Sequence, residues 1–149
     1  MKNVLPIPAL ILIGTFLTVS CSNEEDSEPI MGLDPISFEG TWNRQFEAGP
    51  GNWHNVSYKV YQDSIRYTLS GSVGQANYVL LRDTFMLQDQ RYIGHTPQGT
   101  HYLIFVKDAT DQSITLYKQP IENISEGMTL AVPPADTQEN HGWNTYEKQ

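Results

Sequence analysis

The sequence predicts an all-β fold, a small antiparallel up-and-down β-barrel. Apolar residues alternate with polar ones in many short runs from Ile36 onward, breaks rich in Gly, Pro, Asn and Asp separate those runs, and no helical period lasts beyond a turn or two. Eight or so strands in about 100 residues must hide both their edges and their apolar faces, and closure into a barrel does both. A β-sandwich of the same strands is the runner-up.

The first strand is the clearest. Phe38, Gly40, Trp42 and Phe46 share one face, while Glu39, Thr41, Asn43, Gln45 and Glu47 share the other. After the break Ala48-Gly49-Pro50-Gly51-Asn52, Val56, Tyr58 and Val60 alternate with Ser57, Lys59 and Tyr61. Gln62-Asp63-Ser64 turns the chain, and Ile65, Tyr67 and Leu69 form the partner strand of a hairpin. Two strands are expected at Asn77 to Arg82 and Thr84 to Leu87, then a hairpin from Arg91 to Thr96 and Thr100 to Lys107 around Pro97-Gln98-Gly99. Ser113 to Lys118 reads as a strand, and Gly127 to Val132 as one more before Pro133-Pro134 stops regular structure. The whole of residues 36–149 is thus one domain, with all 8 Tyr, all 3 Trp and, Phe16 excepted, the Phe of the chain available for its core.

A net charge of −8 argues against nucleic acid and anionic headgroups as partners. The single cysteine, Cys21, excludes an intramolecular disulfide. Ahead of it, Met1-Lys2-Asn3 and the apolar run from Val4 to Val19 have the plan of a secretory signal. Interrupted by Pro6 and Pro8, the run falls short of the roughly 20 residues that span a bilayer. Leu17-Thr18-Val19-Ser20-Cys21 resembles a lipobox, which implies a signal peptide at residues 1–20 and a lipidated Cys21 as the first mature residue. The leucine sits one place further upstream than in that motif, with Thr18 in its position. The acidic stretch Ser22-Asn23-Glu24-Glu25-Asp26-Ser27-Glu28 has no apolar side chain to bury, so residues 21–35 read as a flexible tether. It is similar to the surface-export signal of lipoproteins from the Bacteroides group. The resemblance implies a cell-envelope protein, lipid-anchored to the outer membrane and exposed at the cell surface; the alternative reading of the acidic stretch is a solvated spacer and nothing more, which leaves the membrane face open.

Gly40-Thr41-Trp42 at the opening strand resembles the calycin superfamily, which includes the lipocalins. Residues Gly99-Thr100-His101-Tyr102-Leu103-Ile104-Phe105-Val106-Lys107-Asp108, then Ile114-Thr115-Leu116, look like the late strands of ZinT-type calycins, and Trp143-Asn144-Thr145-Tyr146 is similar to their closing segment. The resemblance implies a barrel that binds a ligand. Its zinc role does not carry over, because Tyr117, Lys118 and Gln119 stand where that family has histidines, and no His occurs from Gln119 to Asn140.

Strict alternation places Arg44 on the face of Trp42 and Phe46, where a guanidinium needs a partner: an aromatic ring, the barrel end or an anionic ligand. His95 and His101 are equidistant from Gln98 and face each other in a symmetric hairpin, a spacing that suits two metal ligands or an exposed histidine pair. No nucleophile elbow surrounds Ser72, and no phosphate loop or zinc-protease motif occurs. The expected protein is therefore a non-enzymatic envelope lipoprotein, free of cofactor, that binds a small apolar or amphipathic ligand. Trp42 would form the base of its site, Arg44 a polar contact, and Tyr58, Tyr67 and Tyr102 the wall. Two alternatives stand beside it: zinc or another metal held by His95 and His101, and a surface module that binds an envelope protein.

Overall fold

Eight antiparallel strands form in chain order: β1 (Gly40–Glu47), β2 (Trp53–Val60), β3 (Ser64–Gly71), β4 (Gly74–Met86), β5 (Arg91–His95), β6 (His101–Lys107), β7 (Ser113–Ile121) and β8 (Asn144–Lys148). Each pairs with its sequence neighbour, and β8 returns to β1, so the sheet is a closed up-and-down barrel. The computed structural model describes residues 38–72, 74–86 and 90–149. The signal segment, Cys21 and the acidic tether lie outside the described residues.

Period-two alternation becomes an inside and an outside. The inner set includes Trp42, Val56, Tyr58, Ile65, Leu80, Tyr92, Ile104, Val106, Ile114, Leu116 and Tyr146, contributed by every strand. One end of the interior is filled. There the Trp42 indole, fully buried, donates to the Phe38 carbonyl at 2.9 Å, and Phe38 stacks against Phe85.

A second apolar layer lies on the outer wall of β5, β6 and β7. Ile93, Leu103, Phe105, Tyr117 and Ile121 are buried there beneath Leu130 and Trp143. The cover is the segment between β7 and β8, which includes a short helix, α1 (Ile124–Thr129), and a 3-10 turn at Glu139–His141. This corrects the strand expected at Gly127 to Val132. Asn123 caps α1 by accepting from the Glu126 N–H, and Gly127 lets the helix approach so closely that a Cβ there would lie 2.7 Å from Ile121 Cδ1 and 2.9 Å from Ile93 Cδ1. Arg91 locks the cover down: its guanidinium lies 5.0 Å from the Phe105 ring centroid and donates to the carbonyls of Gly127 at 2.7 Å and Leu130 at 3.0 Å.

Two further differences from the expected strands have local causes. The strands expected at Asn77 to Arg82 and Thr84 to Leu87 are one strand, β4, whose pairing with β5 shifts register between Arg82 and Thr84. Asp83 is the extra residue of that β-bulge. The closing strand β8 was read only as part of a family resemblance, because its five residues are too few to display a period.

The seam between β1 and β8 is short, with only Trp42 opposite Lys148 and Asn43 opposite Glu147 in register, extended by the Gln149 N–H donating to the Thr41 carbonyl at 3.0 Å. Removing residues 144–149 is expected to open the barrel and expose two sheet edges, seen as loss of the cooperative urea transition and association on size-exclusion chromatography. Trp42→Ala should leave the chain folded but less stable by about 3–5 kcal/mol in urea unfolding, the usual cost of emptying so large a buried site.

Candidate functional site

The unfilled end of the barrel encloses a cavity of about 580 Å³. Its wall comes from the ends of β1 (Arg44, Phe46) and β7 (Lys118, Pro120), from Val56, Tyr58, Tyr67 and Leu69 of β2 and β3, and from Tyr102 of β6. Asn140, His141 and Gly142 of the outer segment reach over the rim, and Asn144 and Tyr146 of β8 complete the wall.

Register builds a belt of tyrosines around this space. Tyr58 pairs directly with Tyr67, and Tyr67 with Tyr78, across adjacent strands. Their rings meet at 5.2 Å and 4.8 Å between centroids, Tyr78 stacks on Tyr102 at 5.6 Å, and Tyr58 meets Tyr146 edge to face at 5.1 Å. Burial pushes the hydroxyls of Tyr58, Tyr67 and Tyr78 above their ordinary range, and that of Tyr146 up to about 12, so these four stay neutral at physiological pH.

Lys118 projects into the belt. Its ammonium lies 3.6 Å from the Tyr67 ring centroid, within 6.0 Å of the centroids of Tyr58, Tyr78 and Tyr102, and donates to the Tyr78 hydroxyl at 2.6 Å. Burial drives its pKa down to about 8. The second cation, Arg44, stacks over Phe46 at 4.6 Å and tempers the rise at Tyr146. Among the described residues that line the cavity, none is Asp or Glu.

Of the residues singled out from the sequence, Arg44, Tyr58, Tyr67 and Tyr102 lie on the cavity wall. Trp42 lies in the packed end instead, beneath the cavity's lining. Lys118 was seen only as a missing histidine, although the spacing Ile114, Leu116, Lys118 already puts it on the inner face.

His95 and His101 are register partners on the outer wall, their ring centroids 5.6 Å apart. The β4 bulge brings Asp83 beside them: its Oδ1 is 2.7 Å from His95 Nδ1 and its Oδ2 3.9 Å from His101 Nε2. Sequence spacing gave no sign of Asp83. The other two histidines are elsewhere, His54 buried against Phe46 and His141 at the cavity rim.

No family model, curated protein or solved structure matches this chain.

Proposed function

We propose that this chain is a lipid-anchored envelope protein whose barrel binds one small amphipathic anion, its acidic head at Lys118 and Arg44 and its apolar body against the tyrosine belt. The observation that carries the reading is a half-buried ammonium in a cavity where none of the described lining residues is Asp or Glu, in a chain of net charge −8. Acids outnumber bases 17 to 9 across the sequence, so their exclusion from this wall is selective. Burying a charge without a partner is costly, and ring faces with one hydroxyl offset only part of that cost. An anionic head supplies the missing counter-charge, and charge-assisted hydrogen bonds from Lys118 and Arg44 would orient it. The cavity falls within the roughly 300–1,000 Å³ of ordinary small-molecule sites. Aromatic walls with a few convergent polar groups complete that pattern.

Head-group chemistry separates this reading from a merely apolar pocket. In isothermal titration calorimetry at pH 7, decanoate is expected to bind one per barrel, and decylammonium at least about tenfold more weakly, a difference of about 1.4 kcal/mol. Lys118→Met should remove most of that preference while leaving the barrel folded. Equal affinity for both amphiphiles, or no uptake of decanoate, would reject the proposal.

The pH profile has a definite sign. Free Lys118 loses its proton near pH 8, while a bound anion favours the charged form and raises that value. Decanoate affinity is therefore expected to be flat from pH 6 to about 8, then to fall by up to about tenfold per pH unit until the bound-state value is reached. Lys118→Met should show no such fall.

A further inference from the structure

We propose that Asp83, His95 and His101 form a site for a divalent transition-metal ion, with zinc the best fit, on the outer wall of the barrel. Three features of the wall converge to make it. The hairpin register sets His95 directly opposite His101, and both point away from the interior, since their neighbours Gly94 and Tyr102 pair on the inner face. The β-bulge in β4 supplies the third donor by moving Asp83 out of the regular alternation and next to His95. One ligand atom from each residue then lies within 4.8 Å of the other two.

The spacing suits the ion. Zinc bonds of about 2.0–2.1 Å in a tetrahedral site set its donors about 3.3 Å apart. The two carboxylate–imidazole separations, 2.7 Å from Oδ1 to His95 Nδ1 and 3.9 Å from Oδ2 to His101 Nε2, bracket that value, and donors within 4.8 Å of one another close around an ion by rotation of partly exposed side chains. Asp83 Oδ2 is the second indication: it is buried and has no hydrogen-bond partner, a costly condition for a carboxylate oxygen that a metal bond would relieve. Two imidazoles and one carboxylate also match the preference of zinc for nitrogen and hard oxygen donors together.

The histidines remain partly exposed, with side-chain exposures of 33% and 25% against 13% for Asp83. Three protein donors at a partly open site leave the remaining position to solvent, which makes the ion exchangeable rather than a sealed structural one. These residues are distinct from the Tyr117, Lys118 and Gln119 positions at which ZinT-type chains carry histidines, so the site does not depend on that resemblance.

Zinc titration of the chelator-treated protein by calorimetry tests the proposal. One equivalent is expected to bind, and His101→Ala and Asp83→Asn should each weaken binding at least about tenfold, as loss of even supporting groups around a metal commonly does. Asp111→Asn, in an exposed turn, should leave it unchanged. Zinc should also raise the melting temperature of the parent and of Asp111→Asn but not of His101→Ala, whose circular dichroism reports whether it has folded. No saturable zinc uptake, or uptake undiminished in both site variants, would overturn the assignment. His101 lies at a partly exposed position, so its removal tests the site even if Asp83→Asn disturbs the bulge.

Discussion

The β1–β8 seam is where a ribbon of hairpins becomes a vessel. Across it only two residue pairs are in register, against eight between β1 and β2, yet it removes the last two open edges and divides every strand into an inner and an outer face. With eight strands the interior is just wide enough to be filled by side chains or to hold one small molecule. This chain has one filled end and one hollow end. Large residues around Trp42 close one end, while tyrosines turned along the wall leave the other hollow.

The hollow end is defined as much by what it omits. A carboxylate beside Lys118 would have stabilised the ammonium and returned its pKa toward the ordinary range, at the expense of occupying the counter-ion's place. Tyrosine avoids that. Its ring face attracts a cation, its hydroxyl accepts one hydrogen bond, and burial keeps it protonated and neutral. Lys118 is thereby placed against ring faces and one hydroxyl, with no Asp or Glu among the described lining residues; for the proposed anion that is pre-organisation, since the ordering of the side chain is borne by folding and not by binding.

Much of this was legible from alternation. A two-residue period implies strands, turn residues delimit them, and the same period places Arg44 inside and His95 opposite His101. It failed where the backbone departs from the period. In β4 the inner residues Tyr78 and Leu80 are followed by Phe85 at an odd interval, a phase change that marks the bulge, yet it reads locally as the end of one strand and the start of another. Asp83 was therefore invisible as a partner of the histidines. Helix α1 was missed for a different reason. Gly127 in a short stretch carries no helical signal of its own; the local cap Asn123, with Glu126 three residues on, was readable as a helix start, whereas the close packing on Ile93 and Ile121 that holds so short a helix is a tertiary circumstance.

The outer cover explains why β5, β6 and β7 lack the clean alternation of β2 and β3. Leu103-Ile104-Phe105-Val106 is buried on both faces, inward against the core and outward beneath α1 and Trp143. Where that cover stops, at the Thr96 to Thr100 turn, the outer face of the same hairpin becomes polar and carries His95 and His101. The neighbouring residue Tyr102 faces the cavity, so consecutive positions of β6 serve two chemistries on opposite sides of one backbone. Their side chains point to opposite faces of the sheet. Substitutions on the two faces should then act additively, as expected for groups without shared partners. What joins the cavity and the metal site is the hairpin that orients both, not an interaction between them.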